Sequence, residues 1–178
     1  MSKGQSYKKL RMGIGAGLFI PPATGYKNGV VVFIEPSYRL RDNGSVGFRY
    51  EAAVNQNISI ISYSINGQYN FSTHNGKMRP FVGLGTGLFI TEYSYLNVVN
   101  PNLTTATAKQ TLGFYPRIGV DFNQHFSLSL DWNIAFGSTV SYIEYPMALG
   151  PVTIKTANVN PEYIALRGSF ILGGGKIK

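Results

Sequence analysis

Cysteine is absent from the 178 residues, and only 13% of them are charged, about half the roughly 25% usual in a soluble domain. Without cysteine there is no disulfide framework, no thiolate metal site and no cysteine nucleophile. Histidine occurs twice and tryptophan once, so a metal centre built on imidazoles is not expected. No apolar run approaches the ~18 residues of a transmembrane helix; the longest candidate is residues 30–34. That excludes a helical membrane protein. The basic start, residues 1–9, has no apolar segment and no small-residue cleavage site, so it is not a signal peptide. What the chain has instead is glycine, 21 residues, and 24 aromatics (12 Tyr, 11 Phe and 1 Trp). The length suits one domain, and low charge with many aromatics argues against disorder.

Helical periodicity is almost missing, while period-two alternation is nearly continuous. In residues 10–18, Leu10, Met12, Ile14, Ala16 and Leu18 alternate with Arg11, Gly13, Gly15 and Gly17. Ile34, Pro36, Tyr38 and Leu40 alternate with Glu35, Ser37 and Arg39; Val46, Phe48, Tyr50 and Ala52 alternate with Gly47, Arg49 and Glu51. Ile61, Tyr63, Ile65 and Tyr69 alternate with Ser62, Ser64, Asn66 and Gln68. The second half does the same around Val82, Leu84 and Leu88, then Ile118 and Val120, then Leu128, Leu130 and Trp132, and finally Leu166 and Phe170. This predicts eight strands of about ten residues. The segment 13–20 recurs at 83–90, and the hairpin 36–51 recurs at 116–131. The chain therefore reads as residues 8–172 in two four-stranded halves, about 8–72 and 78–172, with tails at 1–7 and 173–178.

The interior of an eight-stranded barrel is only wide enough to be filled by side chains. Bulky Leu, Ile, Tyr and Phe from every strand would overfill it, whereas a Gly-x-Gly-x-Gly face with Arg and Glu between fits. The apolar set therefore faces outward, and an outward apolar band needs lipid. Ten tilted residues rise roughly 25 Å, the height of an outer-membrane band. Turns at 41–45, 72–77 and 122–125 are short; of the alternate connections, 91–109 and 137–161 are long, 21–29 is medium and 55–57 is short. Short turns on one side and long loops on the other are the outer-membrane pattern, with both termini periplasmic.

With these features the chain resembles the small eight-stranded outer-membrane barrels of the OmpA/OmpX type, and most of all the porin-like barrel domains of Bacteroidota. The resemblance rests on the strand pattern, the two Gly-x-Gly-x-Gly-Leu-Phe-Ile strands and the Pro-x-x-Gly-x-Asp strand at 116–121. It implies an all-β, antiparallel up-and-down transmembrane barrel in the outer membrane of a Gram-negative bacterium. It also implies an exported protein whose leader has been removed.

Arg11, Glu35, Arg39, Arg49, Glu51, Arg117, Asp121, Asp131 and Arg167 share the inward register. So narrow a lumen favours a salt-bridge network that plugs it over an ion path. If Arg41 pairs with Ser45, Ser37 lies opposite Arg49 and Glu35 diagonal to it; in the equivalent hairpin Ser129 faces Arg117, with Asp131 one step along. His125-Phe126-Ser127 resembles the His-x-Ser of barrel lipid A deacylases, but the Asn expected next is Leu128, and the turn falls at the periplasmic end. No catalytic residue and no cofactor are expected. Gly13-x-Gly15-x-Gly17 precedes Pro21-Pro22 rather than a helix, so it is not a dinucleotide loop. The net charge of +8 lies largely in interior Arg and in the tails, and no RNA-binding signature accompanies it, so nucleic acid is not a partner. Lys8, Lys9, Arg41, Lys77 and Arg79 gather at the periplasmic rim, where they meet anionic headgroups of outer-membrane lipid. The long loops carry Tyr93, Tyr95, Tyr142, Ile143, Tyr145 and Met147, an apolar content that marks either a protein-binding surface or strand extensions packed on each other. The expected role is structural or interactive, including that of an accessory subunit in a larger outer-membrane complex. A narrow solute channel, a lipid-modifying enzyme and a soluble lipocalin-like carrier are the alternatives in descending order.

Overall fold

A computed structural model of the chain describes residues 8–22, 27–56, 58–71, 77–95, 104–105, 109–123, 125–144, 153–159 and 162–174. The strands are β1 (Leu10–Ile20), β2 (Gly29–Arg39), β3 (Gly44–Val54), β4 (Ile58–Asn70), β5 (Met78–Tyr95), β6 (Thr104–Thr105), β7 (Lys109–Phe122), β8 (Phe126–Ala135), β9 (Ser138–Glu144), β10 (Thr153–Val159) and β11 (Tyr163–Gly173). Eight of them form one antiparallel sheet in the order β4-β3-β2-β1-β11-β8-β7-β5, and the β4–β5 pairing closes it into a barrel. Closure leaves no open edge, so each strand's polar backbone finds a neighbour on both sides. Every sequence-neighbouring pair of barrel strands is adjacent in space, and β1 meets β11 through ten consecutive residue pairs.

Burial alternates along each strand with the apolar set outside, as the sequence pattern predicts. Leu18, Val32, Ile65, Leu84, Ile118 and Leu130 are all exposed, while Arg39, Arg49, Glu51, Asp131 and Arg167 are buried. An all-round apolar exterior over a polar interior inverts the arrangement of a water-soluble protein.

Two features differ from the sequence-based expectation. The first is hairpin register. Leu40 and Arg41 donate their N–H groups to the Gly44 carbonyl at 2.9 and 3.1 Å, so Leu40 lies opposite Gly44. Arg39 then pairs with Ser45 and Ser37 with Gly47, which puts Glu35, not Ser37, across from Arg49. In the second hairpin Asn123 adopts a left-handed φ of 47°, His125 donates to the Phe122 carbonyl, and Arg117 faces Asp131, not Ser129. Each partner moves by two residues. A shift of two preserves every side chain's facing, which is why alternation could not detect it.

The second difference is strand length. Thr91–Tyr95, expected as loop, continue β5, and much of the 137–161 connection is an antiparallel hairpin in which β9 Ser138 pairs with β10 Val159. Tyr93 and Tyr95 fall within the β5 extension and Tyr142 and Ile143 within β9. Tyr145 and Met147 lie outside the described residues.

Candidate functional site

The lumen is layered. At its centre three arginines and three carboxylates, contributed by β2, β3, β7, β8 and β11, form a buried cluster of zero net charge. Glu35 accepts from Arg49 Nε at 2.7 Å and from Arg117 Nη1 at 2.8 Å. Glu51 accepts from Arg167 Nε at 2.9 Å and Nη2 at 2.7 Å, and from the Tyr163 hydroxyl. Asp131 is the hub: its Oδ2 accepts from Arg49 Nη1 at 2.7 Å, sits 2.8 Å from Arg167 Nη1 and 3.9 Å from Arg117 Nε. Asp131 is 0% exposed, so all this occurs away from water. Arg49 and Glu35 are neighbours across one hairpin, but Arg49 with Asp131, Arg117 with Glu35 and Arg167 with Glu51 span the lumen between strands far apart in sequence.

The arginines also stack on rings. Arg49 lies 4.6 Å from the Tyr115 centroid and 5.5 Å from that of Phe33, and Arg117 lies 5.2 Å from Phe81. A guanidinium held over an aromatic face is attracted by the ring's quadrupole. The inward glycines make room for these rings: a Cβ on Gly85 would run into Tyr115, and one on Gly119 into Phe81.

Toward the loop end, Phe19, Val31, Ile58, Ile60, Phe89 and Tyr163 pack as an apolar layer, with Phe19 and Tyr163 edge to face at 4.9 Å. Toward the terminal end, Arg11 pairs with Asp121 at 3.1 Å, and Asn70 donates to the same carboxylate and accepts from Gln68. Arg39 reaches the Gly174 carbonyl and Arg79 the Asp42 carbonyl. Between this end and the centre lies a cavity of about 20 Å³ beside Arg11, Glu35, Gln68 and Arg117, room for about one water.

All nine charges assigned to the inward register thus line the lumen, and among the described residues their bonds fall into separate groups. Six make the central cluster, Arg11 and Asp121 form a separate pair, and Arg39 bonds a backbone carbonyl. Sequence reasoning put Gln68, Asn70, Phe81 and Tyr115 on the inward face but named only charged residues as the candidate site, so these four, with Phe33 and Tyr163, were left out of it. The signal was available: each occupies an inward position, and only their uncharged character kept them out.

Glu51→Gln keeps the shape of the side chain and removes its charge, leaving Arg167 with a single carboxylate. We expect a loss of about 2 kcal/mol in unfolding free energy, measured by urea titration in detergent. An unchanged midpoint would show that the cluster does not contribute to stability.

His125 is exposed and stacks on Phe170, its ring 6.4 Å from that of Phe170, while Ser127 borders the terminal-end cavity. No hydrogen bond joins the two among the described residues.

No protein-family model and no curated protein matches the chain. Solved structures do match it. The outer membrane protein OprG of Pseudomonas aeruginosa aligns with a TM-score of 0.63 at 14% identity, over 96% of this chain and 98% of that one. Neisserial surface protein A aligns with a TM-score of 0.59 at 14% identity, over 92% and 96%. The N-terminal β-barrel domain of Pseudomonas aeruginosa OprF aligns with a TM-score of 0.52 at 14% identity, over 93% and 99%. At such identity the likeness is one of fold, and it extends over nearly the whole of each chain.

Proposed function

We propose that this chain, which has the fold of the small eight-stranded outer-membrane barrels, resides in the outer membrane of a Gram-negative bacterium with both termini periplasmic. There it serves a structural or interaction role without catalysis and without conducting solutes. The carrying observation is the filled lumen. A solute on the barrel axis would have to displace the apolar layer around Phe19 and Phe89 and separate the ion pairs around Asp131. The cavity beside Arg11, Glu35, Gln68 and Arg117 inside the lumen is about 20 Å³, the size of about one water.

The interaction reading draws support from strand length. About ten tilted residues suffice to cross a bilayer, yet β5 has 18 and β9 and β10 add a hairpin of seven-residue strands. The excess projects from the loop end, where a second outer-membrane protein can dock, as it would if this chain were an accessory subunit. The alternative of a lipid-modifying enzyme has little support in the exposed, Phe170-stacked His125, because a serine nucleophile needs its base within hydrogen-bond reach.

Two measurements test these readings. In planar bilayers the purified barrel is expected to give no single-channel steps; reproducible steps would replace the plug with a channel. Purification from the native membrane in mild detergent, followed by mass identification, should return a stoichiometric partner. A lone barrel in that preparation would remove the accessory-subunit role.

A further inference from the structure

The lipid-facing wall is not uniform. At the terminal end, between β11, β1, β2 and β3, it is hollowed into a groove of about 590 Å³ lined by Leu10, Met12, Pro36, Tyr38, Phe48 and Leu172. Its origin is local. Pro36 has no N–H to give the β2–β3 ladder, and the pairing is interrupted between Ile34↔Tyr50 and Ser37↔Gly47. Ser37, Gly47 and Gly173 lie at the floor, so small residues sit where the larger outward side chains stand apart. Arg11 also borders the floor, but its guanidinium is turned inward to Asp121.

The mouth of the groove is cationic. Lys9 holds its ammonium 5.8 Å from the ring of Tyr38, a lining residue, and its carbonyl accepts from the Arg39 N–H at 2.7 Å, which fixes the approach to β1 against the end of β2. Lys8 precedes it and Arg41 follows two residues beyond Arg39; Lys8, Lys9 and Arg41 are all exposed. The acidic residue nearest in the same turn is Asp42, which is half-buried and whose carbonyl holds Arg79.

We infer that this groove is a seat for one phospholipid with an anionic headgroup, its alkyl chain along Met12, Pro36 and Phe48 and its phosphate against Lys8, Lys9 and Arg41. The apolar lining matches a hydrocarbon chain and nothing polar. Three cations at its mouth, close to the headgroup level, select negative charge, each contributing through attraction that falls off within a Debye length. The inference rests on the membrane-spanning reading above and adds to it a particular site and a headgroup preference.

The test uses the full chain in vesicles of phosphatidylethanolamine with a minority of phosphatidylglycerol. A photoreactive acyl chain is carried in separate preparations by one or the other lipid. Flotation reports insertion, and peptide mapping reports where the label lands. Label from the phosphatidylglycerol probe should concentrate on peptides holding Met12, Pro36 and Phe48, about tenfold above the phosphatidylethanolamine probe. The triple variant Lys8→Glu, Lys9→Glu, Arg41→Glu should bring that ratio to about one without preventing flotation. Met12→Trp, which fills the groove and leaves its charges alone, should reduce labelling there with either probe; Val46→Phe does the same from β3 should Met12→Trp fail to insert. Label spread evenly around the barrel, or equal labelling by both probes, overturns the seat while flotation keeps the spanning reading. Cross-links from the groove to a second copy also overturn it, since the occupant would then be protein. A chain that does not float overturns both.

Discussion

Asp131→Asn is expected to lower the unfolding free energy of the barrel by about 3–5 kcal/mol, the usual cost of breaking a buried ion pair by removing one partner. Its Oδ2 atom is the meeting point of Arg49, Arg167 and Arg117, at 2.7, 2.8 and 3.9 Å. An amide of the same shape leaves three buried arginines facing two carboxylates. The penalty comes from the stranded cations, so it should shrink when one is removed as well. Adding Arg49→Met to Asp131→Asn restores neutrality, and Arg117 still holds Glu35 through Nη1. The double variant should recover part of the loss, a non-additivity measurable in a double-mutant cycle. Urea unfolding in detergent, followed by fluorescence of the single tryptophan, Trp132, provides the readout. Equal stability of Asp131→Asn and the unmodified protein would mean that the cluster is solvated and the lumen open.

Leu84→Arg tests the other face. Leu84 is 59% exposed and stands on β5 between Gly67 of β4 and Pro116 of β7. In a water-soluble barrel an exposed leucine tolerates arginine within about 0.5 kcal/mol. Midway across a bilayer the same change costs about 2–4 kcal/mol. The comparison should be made in lipid vesicles, where folding yield and denaturant midpoint both fall. Arginine near the rim, at Leu40→Arg, should cost about 1 kcal/mol or less, because the cost declines with depth. A flat response along the wall would show that no hydrocarbon covers it.

These two substitutions sit on opposite sides of the same strand pattern, and that pattern was legible in the sequence. The facing of a strand position can be read without knowing its partner. The alternation of Val82, Leu84 and Leu88 with Gly83, Gly85 and Gly87 gives two faces, and the narrowness of an eight-stranded lumen assigns the bulky one to the outside. The inward placement of Arg49, Glu51, Arg117, Asp131 and Arg167 comes from the same reasoning. The likeness of the two halves does not extend to register: Arg117 faces Asp131, but their counterparts in the repeat, Ser37 and Glu51, face Gly47 and Phe33.

Register was not legible. Both hairpins sit two residues from the pairing expected of their turns, because a few hydrogen bonds decide it: those between Leu40, Arg41 and Gly44, and that of His125 to Phe122 across the left-handed Asn123. Alternation is blind to a slip of two, since the facing is the same before and after. Nor could the sequence say that Thr91 to Tyr95 continue a strand, because the outward apolar series of Leu84, Leu88 and Ile90 gives way to Glu92 and Ser94.

By itself, then, the sequence determined the architecture: number of barrel strands, which face is apolar, and which charges lie within. Those are properties of local period and of side-chain volume, and both are written residue by residue. Only the tertiary structure decided who pairs with whom. Glu51 meets Arg167 and Asp131 joins three arginines because closure sets β3, β7, β8 and β11 around one axis. The groove beside Pro36 arises likewise from four strands converging on one interrupted ladder. Contacts across a lumen depend on the stagger of the whole sheet, and no single segment of the chain carries that information.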